Sequence, residues 1–158
     1  MKRSALHRWH EKAGATLIEE EGWYVPLRYS SAENEARAVR GSVGICDLSH
    51  IHEPLSPYAR FLIAGPNTRA LLSKLTSLNL DLTTTAPTPL RSWLGNAQAR
   101  AVPGAVAHVR SLVTRHELGF VVMVPRDYAE SVWEAILHAG EEFHITPFGV
   151  EAHRRPES

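Results

Sequence analysis

Several groups of side chains have the types and spacing for chemistry. Asp47, Ser49 and His50 lie within four residues and contain the ingredients of a nucleophilic site. If they share a strand, alternation puts Asp47 and Ser49 on one face and His50 on the other. A Ser–His pair from this segment alone is therefore not expected, and Asp47 reads as a hydrogen-bonding residue at a strand end. His50 and His52, with Glu53 after them, have the alternate spacing of metal ligands. Cys46 is isolated and no further ligand cluster follows, so no metal site is expected. His7 and His10 read as surface residues one helical turn apart.

Glu117 is a lone carboxylate among basic neighbours. It reads either as a ligand-binding acceptor or as a turn glutamate paired with Arg115 or Arg110. Trp23 and Tyr29 flank a turn and could form a ligand wall or a subunit contact, whereas Trp133 falls on an apolar helix face and reads as core. Arg28, Arg37 and Arg40 could grip carboxylates, but solvated surface positions are the expectation for each.

The elements that must carry these residues follow from periodicity. A short helix is expected between Ser4 and Lys12, with Leu6, Trp9 and Ala13 on one side. Ala15–Ile18 and Trp23–Leu27 read as strands around a turn at Gly22, and Pro26, lacking a donor, needs an edge or a strand end. Ser30 or Ser31 caps a helix that Gly41 or Gly44 stops. Gly44–Ser49 and residues 58–64 read as strands, and Gly65-Pro66-Asn67 as a turn into a helix with Leu71 and Leu72.

Residues 76–104 are rich in Thr, Ser, Asn and Pro and read as an irregular connection with one strand near Leu90–Leu94. Val106–Val113 and Leu118–Val124 are strands, the latter apolar enough to be central. Ala129, Val132, Trp133, Ile136 and Leu137 mark an amphipathic helix ended by Gly140. Phe143–Ile145 reads as a last strand, and the chain is expected to form one domain over 1–150 with a tail at 151–158. The class is α+β: an antiparallel sheet with helices packed on one face.

The 158 residues contain 17 basic and 17 acidic side chains. That balance gives no electrostatic draw to nucleic acid or to an anionic membrane. No apolar run approaches the ~18 residues of a membrane span. One cysteine allows no internal disulfide and leans towards a reducing compartment, so a cytoplasmic protein is expected.

The motifs also form a familiar order. Gly14-Ala15, Gly22-Trp23, Pro26 and Tyr29 resemble the N-terminal motif of the glycine-cleavage aminomethyltransferases. Glu35 to Arg40 resembles the next motif, with Ala36 where the family usually has histidine. Gly44-Ile45-Cys46-Asp47-Leu48-Ser49-His50 resembles a G-x-x-D-x-S-H strand, followed by Ile51 where Met is typical. Glu117-Leu118-Gly119-Phe120, Val124-Pro125 and Trp133 to Ile136 resemble the T-G-E-x-G-[FY]-E strand and its helix, with Arg115 and His116 in place of Thr-Gly.

The resemblance implies a folate-binding domain, tetrahydrofolate as cofactor, and a role in glycine- or sarcosine-type one-carbon metabolism. It places Glu117 at the pterin-binding position, where a carboxylate accepts two hydrogen bonds from the pterin amino group and ring N–H. Tyr29, Trp23 and Ile51 are the further cofactor-binding residues that it suggests. The family's central Gly-Gly and Asp-Asp segment has no counterpart in residues 76–104, so catalysis by this chain alone is not expected. The short middle and the run Val124–Trp133 also resemble the gamma subunit of heterotetrameric sarcosine oxidase. That likeness implies partners: larger flavin oxidase or dehydrogenase subunits, or glycine-cleavage-type subunits.

Overall fold

The computed structural model describes residues 2–51, 57–83 and 102–154. His52, Glu53, Trp93 and the strand expected at Leu90–Leu94 lie outside them.

Two sheets organise the fold. The smaller has the order β1-β3-β2, from β1 (Lys2–Arg3), β2 (Thr16–Glu20) and β3 (Trp23–Arg28). The larger has the order β6-β7-β8-β5-β4-β9, from β4 (Gly44–Asp47), β5 (Tyr58–Ala64), β6 (Val102–Val106), β7 (Val109–His116), β8 (Gly119–Pro125) and β9 (Thr146–Pro147). Its pairs are antiparallel except β4 with β9. The described helices are α1 (His7–Lys12), α2 (Ala32–Gly41), α3 (Thr68–Leu72), α4 (Ala129–Ala139) and α5 (Val150–His153). None is long and apolar enough to cross a membrane. The class is α+β.

Alternation along the central strands decides the layering. Phe61 and Ile63 of β5, with Val122 and Val124 of β8, meet Leu71 and Leu72 of α3 and Val132, Trp133 and Ile136 of α4. Their sequence neighbours Leu62, Ala64, Val121 and Met123 meet Ala32, Ala36 and Val39 of α2 and Ala152 of α5. Both sheet faces are therefore covered, where helices on one face were expected. The continuous apolar run in β8 reflects this, because alternate residues serve opposite cores.

Local signals explain α2. The Ser31 hydroxyl accepts the Asn34 N–H at 3.1 Å, and Glu33 and Glu35 occupy the first turn. Pro26 is accommodated although β3 is central: β1 pairs only with Trp23 and Tyr24, and the β2 register shifts at Thr16/Leu17, opposite Pro26.

Three expectations need correction. Val106–Val113 is not one strand but spans the turn of the β6–β7 hairpin. Ala107 and His108 have φ of 51° and 67° there, the doubly positive geometry of a tight hairpin turn. No Gly or Asn marks it, so alternation hid it. Phe143–Ile145 is not a strand; Glu141–Phe143 is a 3-10 turn and β9 begins at Thr146. Residues 151–153, expected in the tail, belong to α5 with Val150. Gly149 allows this docking: a Cβ there would sit 2.2 Å from the Leu27 carbonyl oxygen, and its N–H donates to Glu35 Oε1 at 2.9 Å.

Candidate functional site

Two places gather the residues singled out by chemistry. The first is buried. Asp47 ends β4, and its Oδ2 accepts from His10 Nε2 at 2.9 Å and from the Ser4 hydroxyl. Its Oδ1 accepts from the Ser49 N–H at 3.0 Å and the Ser49 hydroxyl at 2.6 Å. Tyr29 Oη lies 2.7 Å from His10 Nδ1. Asp47 can only accept, so the network assigns a proton to His10 Nε2, while Nδ1 pairs with the Tyr29 hydroxyl.

Burial alone would raise the Asp47 pKa. The bond and charge of His10, then the bonds of Ser4 and Ser49, outweigh it and hold the group at about 2. Burial, reinforced by the charges of Cys46, Asp47 and Glu35, pushes the Tyr29 phenol far up, so it stays a neutral hydroxyl. The Ser49 hydroxyl also accepts the Arg60 N–H at 3.1 Å. Both lone pairs of each Asp47 oxygen are committed. This array fastens α1 and the start of the chain to β4; it does not present a nucleophile. Trp9 and His10 pack edge-on against Trp133, with ring centroids 5.2 and 5.7 Å away.

His10 is 1% exposed, against the surface position expected of it. The signal was present: His10 stands four residues after Leu6, on the same helical stripe as the apolar residues.

The second place is open. Glu117 and Leu118 form the two-residue turn between β7 and β8. The turn rims a surface groove of about 300 Å³ lined by Gly65, Thr68, Arg69, Arg115, Glu117 and Phe120, among others. Glu117 itself is exposed. The Leu118 N–H donates to His116 Nδ1 at 3.0 Å, which stiffens the turn. Gly119 is required at its base, because a Cβ would sit 2.0 Å from the Ile63 carbonyl oxygen.

Arg115 turns to the Leu80 carbonyl at 3.1 Å and lies 4.0 Å from Asp81, which Arg69 holds at 3.0 Å. Both guanidiniums cover the Phe120 ring, at 5.5 Å for Arg69 and 6.0 Å for Arg115.

The other three predicted ligand residues lie elsewhere. Trp23 is 4% exposed and packs with Val25 and Val150 under the small sheet, with the Lys2 ammonium 5.8 Å from its ring. Tyr29 serves the Asp47 network. Ile51 packs in the core beneath α2, with its N–H on the Leu48 carbonyl at 3.0 Å. The groove joins Glu117 to Arg69, Arg115 and Phe120, and not to Trp23, Tyr29 or Ile51.

This geometry can be set beside known proteins. The aminomethyltransferase of Nitrosococcus oceani is 30% identical over 156 residues, which is 99% of this chain and 38% of that protein. The aminomethyltransferase of Halothermothrix orenii is 36% identical over 234 aligned positions, 96% of this chain and 63% of that protein. The chain thus spans less than two-thirds of the length of these relatives. A crystal structure of glycine cleavage system aminomethyltransferase T from Bartonella henselae aligns with 88% of this chain and 35% of its own, at TM-score 0.41 and 20% identity. The GCVT N-terminal domain family matches residues 6–55 and 51–157, nearly the whole sequence, and the chain belongs to that family, the one its motifs resemble.

Proposed function

We propose that this chain is an aminomethyltransferase-like protein that binds tetrahydrofolate through Glu117. One observation carries the reading: of the residues singled out for ligand binding, Glu117 is the one with its carboxylate exposed on a groove. At about 300 Å³ the groove is at the lower end of ligand pockets. That suits a flat bicyclic ring rather than a whole folate. Glu117 would accept the ring's paired N–H donors, and the Arg115 guanidinium offers a planar, cationic neighbour. Bound tetrahydrofolate supplies the N5 that meets a one-carbon unit. The chain's own part is to hold and orient the ring.

Titration of the protein with tetrahydrofolate, followed by calorimetry, tests this. Saturable binding that weakens at least tenfold in Glu117→Ala supports it. Absence of binding by the unaltered protein, or equal binding by Glu117→Ala, overturns it.

A second reading is favoured by the openness of the groove. In it the chain is a gamma-like, non-catalytic subunit whose site is completed by a larger flavin- and folate-dependent oxidase or dehydrogenase. Tetrahydrofolate would then bind only to the purified complex. Full affinity in the isolated chain sinks this alternative.

A further inference from the structure

Three histidines gather where α5 meets the main sheet; His116 also accepts the Leu118 N–H in the Glu117 turn, and His50 and His153 serve neither place described above. His116 ends β7 on the side of Leu112, the α2 and α5 side. Its ring centroid is 6.4 Å from that of His153, the last residue of α5. His50 follows β4 and lies 3.0 Å from Glu20 Oε2, within ion-pair range but off hydrogen-bond geometry. Arg154 Nη2 already holds that same oxygen at 2.5 Å. His50 and His116 are each 6% exposed. His153 Nδ1 is buried, with no hydrogen-bond partner among the described residues. Among those residues no group of three His, Cys, Asp or Glu side chains is placed to hold a metal ion. Proton uptake is therefore the chemistry these rings share.

The groups that face them are few. Glu20 of the β2–β3 hairpin and Asp47 of β4 act on His50, Glu117 of the β7–β8 turn acts on His116, and Arg154 at the end of α5 acts on His50 and His153; Arg154 is itself balanced by Glu20, Glu21 and Cys46. Glu20, the carboxylate in contact, is already neutralised by Arg154.

We infer that this seam is a proton-operated clasp: with its imidazoles neutral it holds α5 against the sheet and the Glu117 turn, and protonation drives α5 off. A new imidazolium at His50 or His116 is a buried cation, one at His153 is a partly buried cation next to Arg154 in the chain, and the carboxylate in contact with the cluster, Glu20, already serves Arg154. Burial lowers all three pKa values. It is opposed by Asp47 and Glu20 at His50 and by Glu117 at His116, and reinforced at His153 by His116, Arg154 and His50, which bring that ring to about 4.

The sign follows. A released histidine titrates near 6.5. The open form therefore takes up protons first, and the clasp is fully favoured above that pH. Its advantage shrinks as pH falls from about 6.5 towards 4. The element that yields is α5 because it is short, four residues held by buried Val150 and Ala152, the Gly149–Glu35 bond and the ion pairs Arg28–Glu151 and Arg154–Glu20. This inference does not depend on folate binding.

Hydrogen exchange on the full chain, corrected for the intrinsic pH dependence, tests it. The amides of His153 and Arg154, which donate to the Gly149 and Val150 carbonyls, report on α5; those of β5 report on the whole fold. Between pH 7 and 5 the α5 amides are expected to lose at least tenfold more protection than those of β5. His153→Gln should remove most of that difference.

Should the variant loosen α5 at neutral pH, the histidine ring resonances of the unaltered protein decide instead. His116 and His153 titrating well below 6.5, together with loss of α5 protection, support the clasp. Ring midpoints at 6.5, or α5 and β5 losing protection in parallel, overturn it.

Discussion

The Asp47 network and the Glu117 groove are both built around a carboxylate, and they use it in opposite ways. Asp47 is 2% exposed, and both its oxygens are saturated by His10, Ser4 and Ser49. Glu117 stands exposed on a two-residue turn at the rim of a groove. A buried carboxylate with full hydrogen bonding stabilises the fold and is unavailable to a ligand. An exposed one on a rigid turn contributes little to the fold and keeps its lone pairs for recognition. The motif containing an acid, a serine and a histidine thus turns out to be scaffold. The plainer glutamate is the candidate for function.

The widest separation between the two regions should come from removing each carboxylate. Asp47→Ala leaves His10 and two serine hydroxyls facing a void in the core, and should cost about 3–5 kcal/mol in denaturant unfolding. Glu117→Ala should change stability by no more than about 0.5 kcal/mol. Equal losses would erase the distinction.

His10→Phe tests the network from its other side. It takes from the Tyr29 hydroxyl its histidine partner and leaves Asp47 Oδ2 with the Ser4 hydroxyl alone, and should cost about 1–3 kcal/mol by the same measurement. A neutral result would mean that the array is dispensable.

Acid sharpens the comparison further. Asp47 has a folded pKa of about 2 against an ordinary 3.8. A lowered pKa stabilises the fold above the unfolded value, and that contribution is lost as pH falls through the folded one. The network should therefore supply about 2 kcal/mol above pH 4 and lose it between pH 4 and 2. Urea midpoints across that range should fall less steeply in Asp47→Asn than in the unaltered protein. A smaller loss than any in the network belongs to neither carboxylate: Ser31→Ala, away from both places, should cost about 1 kcal/mol by loss of the α2 cap. It calibrates what a local change does.

Much of the fold was legible because its signals are local. The cap at Ser31, the apolar spacing of α4 and the Tyr58–Ala64 strand each depend on neighbours within a few residues. Local rules also misled. The Ala107-His108 turn carries no turn residue, and α5 is too short for periodicity to show. Trp23 and Tyr29, grouped as a ligand wall from their closeness in sequence, diverge in space: one lies under the small sheet and the other reaches His10. Glu117 was legible as a carboxylate at a recognisable motif position. Its partners in the groove, Arg69 and Phe120, were not.

By itself, then, the sequence determined most of the elements, the family and the motif position of Glu117, because periodicity, caps and motif order are short-range properties of the chain. Only the tertiary structure decided which polar residues are used up. Ser4, His10, Tyr29 and Asp47 meet across separations of up to 43 residues. Whether a carboxylate is saturated or free depends on what packing brings to it.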